Sequence, residues 1–121
     1  MPNDVEQKAM KVVARYEKRR TGKGSKDVSG TGCGYDIKSG NRLIEVKGFY
    51  NERYPSISLY KKLEEQLGKG KNHYYIYVVY DITKKPKLKI LEPKVIWGNI
   101  EVDTRYIVRG KVYRRIPDEN L

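Results

Sequence analysis

The residues in this chain whose types and spacing could do chemistry are Asp36, Glu45 and Lys47. They lie in the stretch Gly34–Gly48, which reads Gly-Tyr-Asp-Ile-Lys-Ser-Gly-Asn-Arg-Leu-Ile-Glu-Val-Lys-Gly. Tyr35–Lys38 and Arg42–Lys47 are runs of strand-forming residues, and Ser39-Gly40-Asn41 between them is turn chemistry. With Gly40-Asn41 as the two loop residues, a tight type I′ or II′ hairpin results, because both residues accept positive φ. That register sets Ser39 opposite Arg42, Lys38 opposite Leu43, Ile37 opposite Ile44 and Asp36 opposite Glu45. Side chains alternate faces along a strand, so Glu45 and Lys47 share one face. Tyr35, Ile37, Ile44 and Val46 then share the other, which reads as core. Two carboxylates directly opposite one another repel. A chain that keeps such a pair places a cation between them, and either Lys47 or a divalent metal would serve.

The elements that position this hairpin follow from periodicity. Asp4 is an N-cap candidate for a helix running to about Arg20. Val5, Ala9, Val12, Val13 and Tyr16 recur along it at helical spacing. Glu6 stands at the edge of that stripe, where the helix dipole favours a carboxylate; a solvated first-turn acid is the plain reading. Residues 21–34 are glycine-rich and loop-like. Gly22-Lys23-Gly24-Ser25 is not a phosphate-binding P-loop, since no glycine is followed directly by Lys and Ser or Thr at the mouth of a helix. The loop is either a flexible connection or a basic arm that sets Lys23 and Lys26 against a phosphate backbone.

Beyond the hairpin, Phe49–Ile57 is extended and polar, with Arg53 in it and a turn near Tyr54-Pro55. A second helix is expected from about Ser58 to Leu67, with Leu59, Leu63 and Leu67 stacked and Gly68 at the C′ position. Lys69-Gly70-Lys71-Asn72 is a basic turn. His73–Tyr80 is the strongest strand in the chain, apolar enough to be buried on both faces. Strand, helix, strand implies a right-handed crossover with parallel pairing. Lys87–Leu91 is a further strand, and Ile100–Val108 with Lys111–Arg115 suggests a hairpin over Arg109-Gly110. His73 opens a strand and reads as structural. Glu64, Glu65 and Gln66 read as solvated, although Gln66 lies within reach of the hairpin. The fold class is therefore α/β, a mixed β-sheet flanked by helices, in one domain over residues 1–121 with 93–121 as its C-terminal extension.

Composition points to the partner. Twenty-six Lys and Arg against fifteen Asp and Glu give a net charge of +11. Such a charge favours an anionic partner, with nucleic acid first and an anionic membrane surface second. No apolar run is long enough to span a membrane. The single cysteine, Cys33, excludes an intrachain disulfide and fits a cytoplasmic, reducing setting. The basic residues cluster at Lys18–Arg20, Lys23–Lys26, Lys69–Lys71 and Arg109–Arg115. Eleven tyrosines offer stacking surfaces for unpaired bases wherever they are exposed.

Asp36 followed by Glu45-Val46-Lys47 resembles the PD-(D/E)XK nuclease signature of the restriction-endonuclease-like fold, with Tyr35 in place of the usual proline. Glu6 matches the acidic residue that many of these nucleases carry on their first helix. More narrowly, about two thirds of the chain is similar to the domain at the C terminus of the plant NO VEIN protein. The matching residues are Glu6 and Ala9, Gly34-Tyr35-Asp36-Ile37, Ile44-Glu45-Val46-Lys47-Gly48 and Tyr74-Tyr75-Ile76-Tyr77-Val78-Val79. The small basic format also resembles archaeal Holliday-junction resolvases, in which a serine in the loop before the first acid contributes; Ser29 is the nearest match.

The resemblance implies a nuclease with Mg²⁺ or Mn²⁺ as its cofactor. Asp36 and Glu45 would supply carboxylate ligands, the Val46 carbonyl a third, and Glu6 would bind or orient the metal from the helix. Lys47 would orient water or offset charge on the phosphoryl group. Phosphate contacts would come from Lys23, Lys26, Ser29, Lys69 and Lys71, with DNA as the expected substrate. A homodimer is compatible with this reading. Two alternatives remain: a non-catalytic nucleic-acid-binding module on the same fold, and a protein-interaction domain.

Overall fold

The computed structural model describes residues 4–51, 54–60, 62–102 and 105–121. Helix α1 runs Asp4–Thr21, with Asp4 and Glu6 in its first turn and Lys18, Arg19 and Arg20 in its last. Both ends thereby complement the helix dipole. Strands β1 (Lys26–Asp27), β2 (Ile37–Ser39), β3 (Arg42–Gly48) and β4 (Ile57–Leu59) follow, then helix α2 (Leu63–Leu67) and a 3₁₀ turn, Gly68–His73. The chain continues through β5 (Tyr74–Tyr80), β6 (Lys87–Leu91), helix α3 (Pro93–Gly98), β7 (Glu101–Val102), β8 (Tyr106–Val108) and helix α4 (Gly110–Tyr113).

Five strands make a mixed sheet in the order β1-β2-β3-β5-β6, and a second sheet has the order β4-β8-β7. The hairpin register holds for Ile37↔Ile44, Lys38↔Leu43 and Ser39↔Arg42, and Gly40 takes the positive φ that the turn requires, +58°. β3 and β5 are parallel, from Leu43↔Tyr74 to Gly48↔Val79, as a crossover connection dictates. β5 is central, and of its residues only Tyr75 is partly exposed.

Each face of the main sheet carries a core. On the first, the α1 residues Val5, Ala9 and Val13 pack on Ile37, Ile44 and Val46 of the hairpin and on Tyr77 and Val79 of β5. Gly48 makes this contact close: a Cβ there would lie 2.9 Å from the Ala9 Cβ and 3.1 Å from the Val5 carbonyl oxygen. The first turn of α1 therefore rests directly on the end of β3. On the second face, Leu59, Leu63, Ile76, Leu91, Ile96, Val108 and Tyr113 converge. Residues 93–121 contribute three of these and so form part of a core.

Glu17 is a wholly buried carboxylate at the other end of α1. It accepts two hydrogen bonds from Arg20, at 2.9 and 2.5 Å, and one from the Tyr77 hydroxyl at 2.7 Å. Burial alone would raise its carboxyl, but hydrogen bonds from Arg20, Tyr77 and Ser39 hold it below the usual range. Arg42 donates to the same Tyr77 hydroxyl at 2.7 Å and lies 4.3 Å over the Tyr75 ring. The buried Glu17 carboxylate, through the Tyr77 hydroxyl and Arg42, thus ties the helix to the central strand and to the hairpin turn.

Several expectations are corrected. Ser58 does not begin a helix: Ile57–Leu59 is a strand antiparallel to β8. Ile57 and Leu59 are buried around an exposed Ser58, a period of two, and the partner comes from far along the chain. Leu59 and Leu63 still share one core. No hairpin forms over Arg109-Gly110, because β7 and β8 pair instead and Gly110 opens α4. A Cβ on Gly110 would sit 1.8 Å from the Tyr54 carbonyl oxygen, so this glycine serves close packing. The basic turn Lys69–Asn72 belongs to the 3₁₀ turn, and His73 precedes β5. Within the glycine-rich loop, Lys26 and Asp27 add a short strand to β2. Arg53 lies outside the described residues.

Candidate active site

The site forms where β2 ends and β3 continues without it. The expected pairing of Asp36 with Glu45 is not formed. The ladder stops at Ile37↔Ile44, and the Asp36 amide donates instead to the Ile44 carbonyl at 2.8 Å. The chain bends there, which breaks the face alternation: Tyr35 packs against the second core rather than beside Ile37. The bend turns the Asp36 carboxylate toward the open edge of β3, where Oδ2 accepts the Val46 N–H at 2.8 Å. A strand residue directs its N–H and C=O to the same edge. The Val46 carbonyl therefore also faces this edge.

Glu45 still meets Asp36. Both carboxyls line one cavity, the Asp36 charge acts on Glu45, and Lys47 Nζ lies 3.2 Å from Glu45 Oε2. Burial pushes the Glu45 carboxyl up to about 7, the Asp36 charge adds to this, and Lys47 opposes it. The Asp36 charge thus disfavours the ionised form of Glu45.

A cavity of about 820 Å³ opens in front of this pair. It is lined by Glu6, Asp27, Asp36 and Glu45 on the acidic side, and by Lys11 and Lys47 on the basic side. In a chain of net charge +11, this acidic excess is local and built. Glu6 is exposed and reaches the cavity wall from α1. Ser29 also lines it, and both its N–H and its hydroxyl donate to Asp27 Oδ1, at 2.9 and 2.6 Å. Gln66 does not line the cavity; its Nε2 donates to the Gly32 carbonyl at 2.7 Å and pins the loop that does.

The cavity lining includes Glu6, Ser29, Asp36, Glu45, Val46 and Lys47 but not Lys23, Lys26, Lys69 or Lys71. Lys23 is exposed just beyond α1, and Lys26 is exposed opposite Lys38 on the sheet edge. Lys69 is exposed in the 3₁₀ turn, where Lys71 pairs with Glu64 at 2.9 Å. Sequence reasoning missed Asp27, Lys11 and Phe49 in the lining. Asp27 sits in a two-residue strand, too short for periodicity to register.

The sequence model of the family described as Protein NO VEIN, C-terminal matches residues 5–91, more than half of the chain. The chain belongs to the NO VEIN C-terminal family. No curated protein and no solved structure matches it significantly. The matched span of this NO VEIN C-terminal domain contains Glu6, Asp36, Glu45, Val46 and Lys47, whereas α3, β7, β8 and α4 lie beyond it.

Among the described residues, no three acidic, histidine or cysteine side chains gather as a metal-holding group. Asp36 and Glu45 offer carboxylate oxygens to the cavity, and the Val46 carbonyl faces the same edge of β3. All are hard oxygens, and Mg²⁺ is commonly held by one or two carboxylates with water and substrate phosphate completing the shell. The donor set fits such an ion. Among the described residues no helix is long and apolar enough to cross a membrane.

Proposed function

We propose that this NO VEIN C-terminal domain is a metal-dependent endonuclease of the PD-(D/E)XK type that hydrolyses nucleic-acid phosphodiester bonds, with DNA as its substrate. The observation that carries the reading is the placement of Asp36 and Glu45 in one acid-rich cavity, where the Asp36 charge acts on Glu45 and Lys47 lies 3.2 Å from Glu45 Oε2. A basic chain gathers acids at one point most usefully where a cation must stand between protein and phosphate.

A divalent ion, when bound, would activate a water and offset charge on the phosphoryl group. The chain's own residues divide the remaining tasks. Asp36 and Glu45 offer carboxylate oxygens, and Asp36 is aimed by its hydrogen bond from Val46. Lys47, beside Glu45, holds the attacking water or balances phosphoryl charge. Lys11 brings a second positive charge to the cavity from α1. The exposed lysines away from the cavity, Lys23, Lys26 and Lys69, contact the phosphate backbone to either side.

The test is cleavage of labelled linear, branched and single-stranded DNA, with RNA alongside, in the presence and absence of Mg²⁺ or Mn²⁺. Binding is titrated in parallel at several salt concentrations, where log affinity should fall linearly with log salt. Binding without metal-dependent cleavage supports the non-catalytic module instead. Absence of binding at low salt supports a protein-interaction role.

A further inference from the structure

The Tyr74 side chain is fully buried, and among the described residues its hydroxyl has no hydrogen-bond partner. Buried polar groups are almost always satisfied, so an exception in a well-packed core asks for an explanation. Sheet register locates it. Tyr74 pairs with Leu43 and Ile76 pairs with Glu45 on parallel strands, so Tyr74 shares a face with Glu45 and lies diagonal to it. Diagonal sheet neighbours are about 7–8 Å apart, within reach of an aromatic side chain. The hydroxyl feels the charges of both Glu45 and Asp36; burial first, and then these two carboxylates, push it well above the usual tyrosine range. It therefore remains protonated, a donor. Tyr74 does not line the cavity and belongs to the core beneath this face of the sheet.

We propose that Tyr74 is a positioning residue for the Asp36–Glu45 pair, its hydroxyl donating a hydrogen bond to the carboxylates when a divalent cation occupies the cavity side. The proposal rests on the reading of that pair as a cation site. An ionised carboxylate is an acceptor only, with several lone pairs to satisfy. Asp36 already receives the Val46 N–H and Glu45 the Lys47 ammonium. With a cation on the cavity side, Tyr74 would supply a further donor to the lone pairs that remain. Outer donors of this kind orient ligands and commonly alter metal affinity by 10- to 100-fold.

Trp97 provides an internal reporter. It is the chain's single tryptophan, its ring lies 5.8 Å from that of Tyr74, and its indole N–H is fixed on the Lys71 carbonyl at 2.8 Å. The experiment compares wild type with Tyr74→Phe, which keeps the ring and removes the hydroxyl. Mn²⁺ affinity is measured by calorimetric titration, Trp97 emission during Mg²⁺ titration, and the melting temperature without metal. The expected result is Mn²⁺ binding about tenfold weaker in Tyr74→Phe, a Mg²⁺-dependent emission change in wild type alone, and an unchanged or higher metal-free melting temperature. Equal Mn²⁺ affinity in the two proteins overturns the proposal. So does a Tyr74→Phe protein that melts lower without metal in proportion to its loss of affinity, which marks a packing role. If wild type binds no Mn²⁺ and its emission does not respond to Mg²⁺, the cation-site reading fails and the proposal fails with it.

Discussion

The Val46 N–H donates to Asp36 Oδ2 at 2.8 Å, so the first acid of the site is held by the backbone of the strand that carries the second. This contact replaces the cross-strand pairing of Asp36 with Glu45. It predicts different outcomes for two substitutions. Asp36→Asn retains an oxygen acceptor for Val46 and should fold with near-wild-type stability, while losing metal-induced stabilisation and cleavage and keeping nucleic-acid binding. Asp36→Ala leaves the Val46 N–H unsatisfied and should lose about 1–3 kcal/mol as well. Urea unfolding with and without Mn²⁺ separates them; equal stability of the two variants would show that the hydrogen bond contributes nothing.

Glu45 makes stability depend on pH in a defined direction. Burial and the Asp36 charge push its folded carboxyl up to about 7, above the ordinary glutamate range, so the folded state binds this proton more tightly than the unfolded chain. The associated stabilisation is complete below about pH 4.5 and is lost as the pH rises through 7, a change of about 3 kcal/mol. Glu45→Gln lacks it. Without metal, wild type should therefore lose stability relative to Glu45→Gln between pH 4.5 and 8. Parallel curves for the two proteins would remove Glu45 as the source.

Glu17 should show the opposite sign. Its carboxyl is held below the usual range, so its stabilisation is present above the ordinary carboxylate range and lost as the pH falls through its folded pKa. Glu17→Ala removes the acceptor of the buried Tyr77 hydroxyl and leaves a cavity under α1, and should destabilise by about 1–3 kcal/mol near neutral pH. The deficit should narrow in acid, and added metal should not change it. A denaturant series over pH measures this, and a pH-independent deficit would indicate a packing effect instead.

Lys47→Ala should separate metal binding from cleavage. Lys47 is 3.2 Å from Glu45 Oε2 and is a charge partner rather than a ligand. Mn²⁺ affinity should persist, while the rate of cleavage should fall by about 100-fold or more. A variant that cleaves normally would remove Lys47 from the chemistry.

Gly48→Ala tests how α1 is seated. The new Cβ would meet the Ala9 Cβ at 2.9 Å and the Val5 carbonyl oxygen at 3.1 Å. Helix backbone cannot yield locally, so α1 must shift as a body and carry Glu6 with it. The expected loss is about 1–3 kcal/mol, with weaker metal-dependent activity. Wild-type stability in a melting experiment would show that the contact is slack.

Much of the site was legible in the sequence because its determinants are local. Gly40-Asn41 specified a turn, and alternation placed Ile37, Ile44 and Val46 in the core. The acid-x-lysine spacing set Glu45 and Lys47 on one face, and the apolar run Tyr74–Tyr80 marked a central strand. Each signal acts over a few residues, where backbone geometry and side-chain type decide together.

Other features depended on distant partners. β4 is a strand because β8, some fifty residues later, supplies its hydrogen bonds. Asp27 enters the cavity because β1 pairs with β2, although two residues carry no period. Glu17 lies one turn beyond Val13 on the buried stripe of α1, and its charge is accommodated there because Tyr77 and Ser39 come from other strands to meet it. The sequence alone determined the hairpin, the helical stripe, the parallel crossover and the identity of the acids and the lysine, all products of local conformational preference. Only the tertiary structure decided that Asp36 leaves the ladder to bind the Val46 amide and that the buried Tyr74 hydroxyl has no hydrogen-bond partner among the described residues. Those outcomes arise from competition among backbone donors, charge repulsion and core packing, which exists only once the chain has folded.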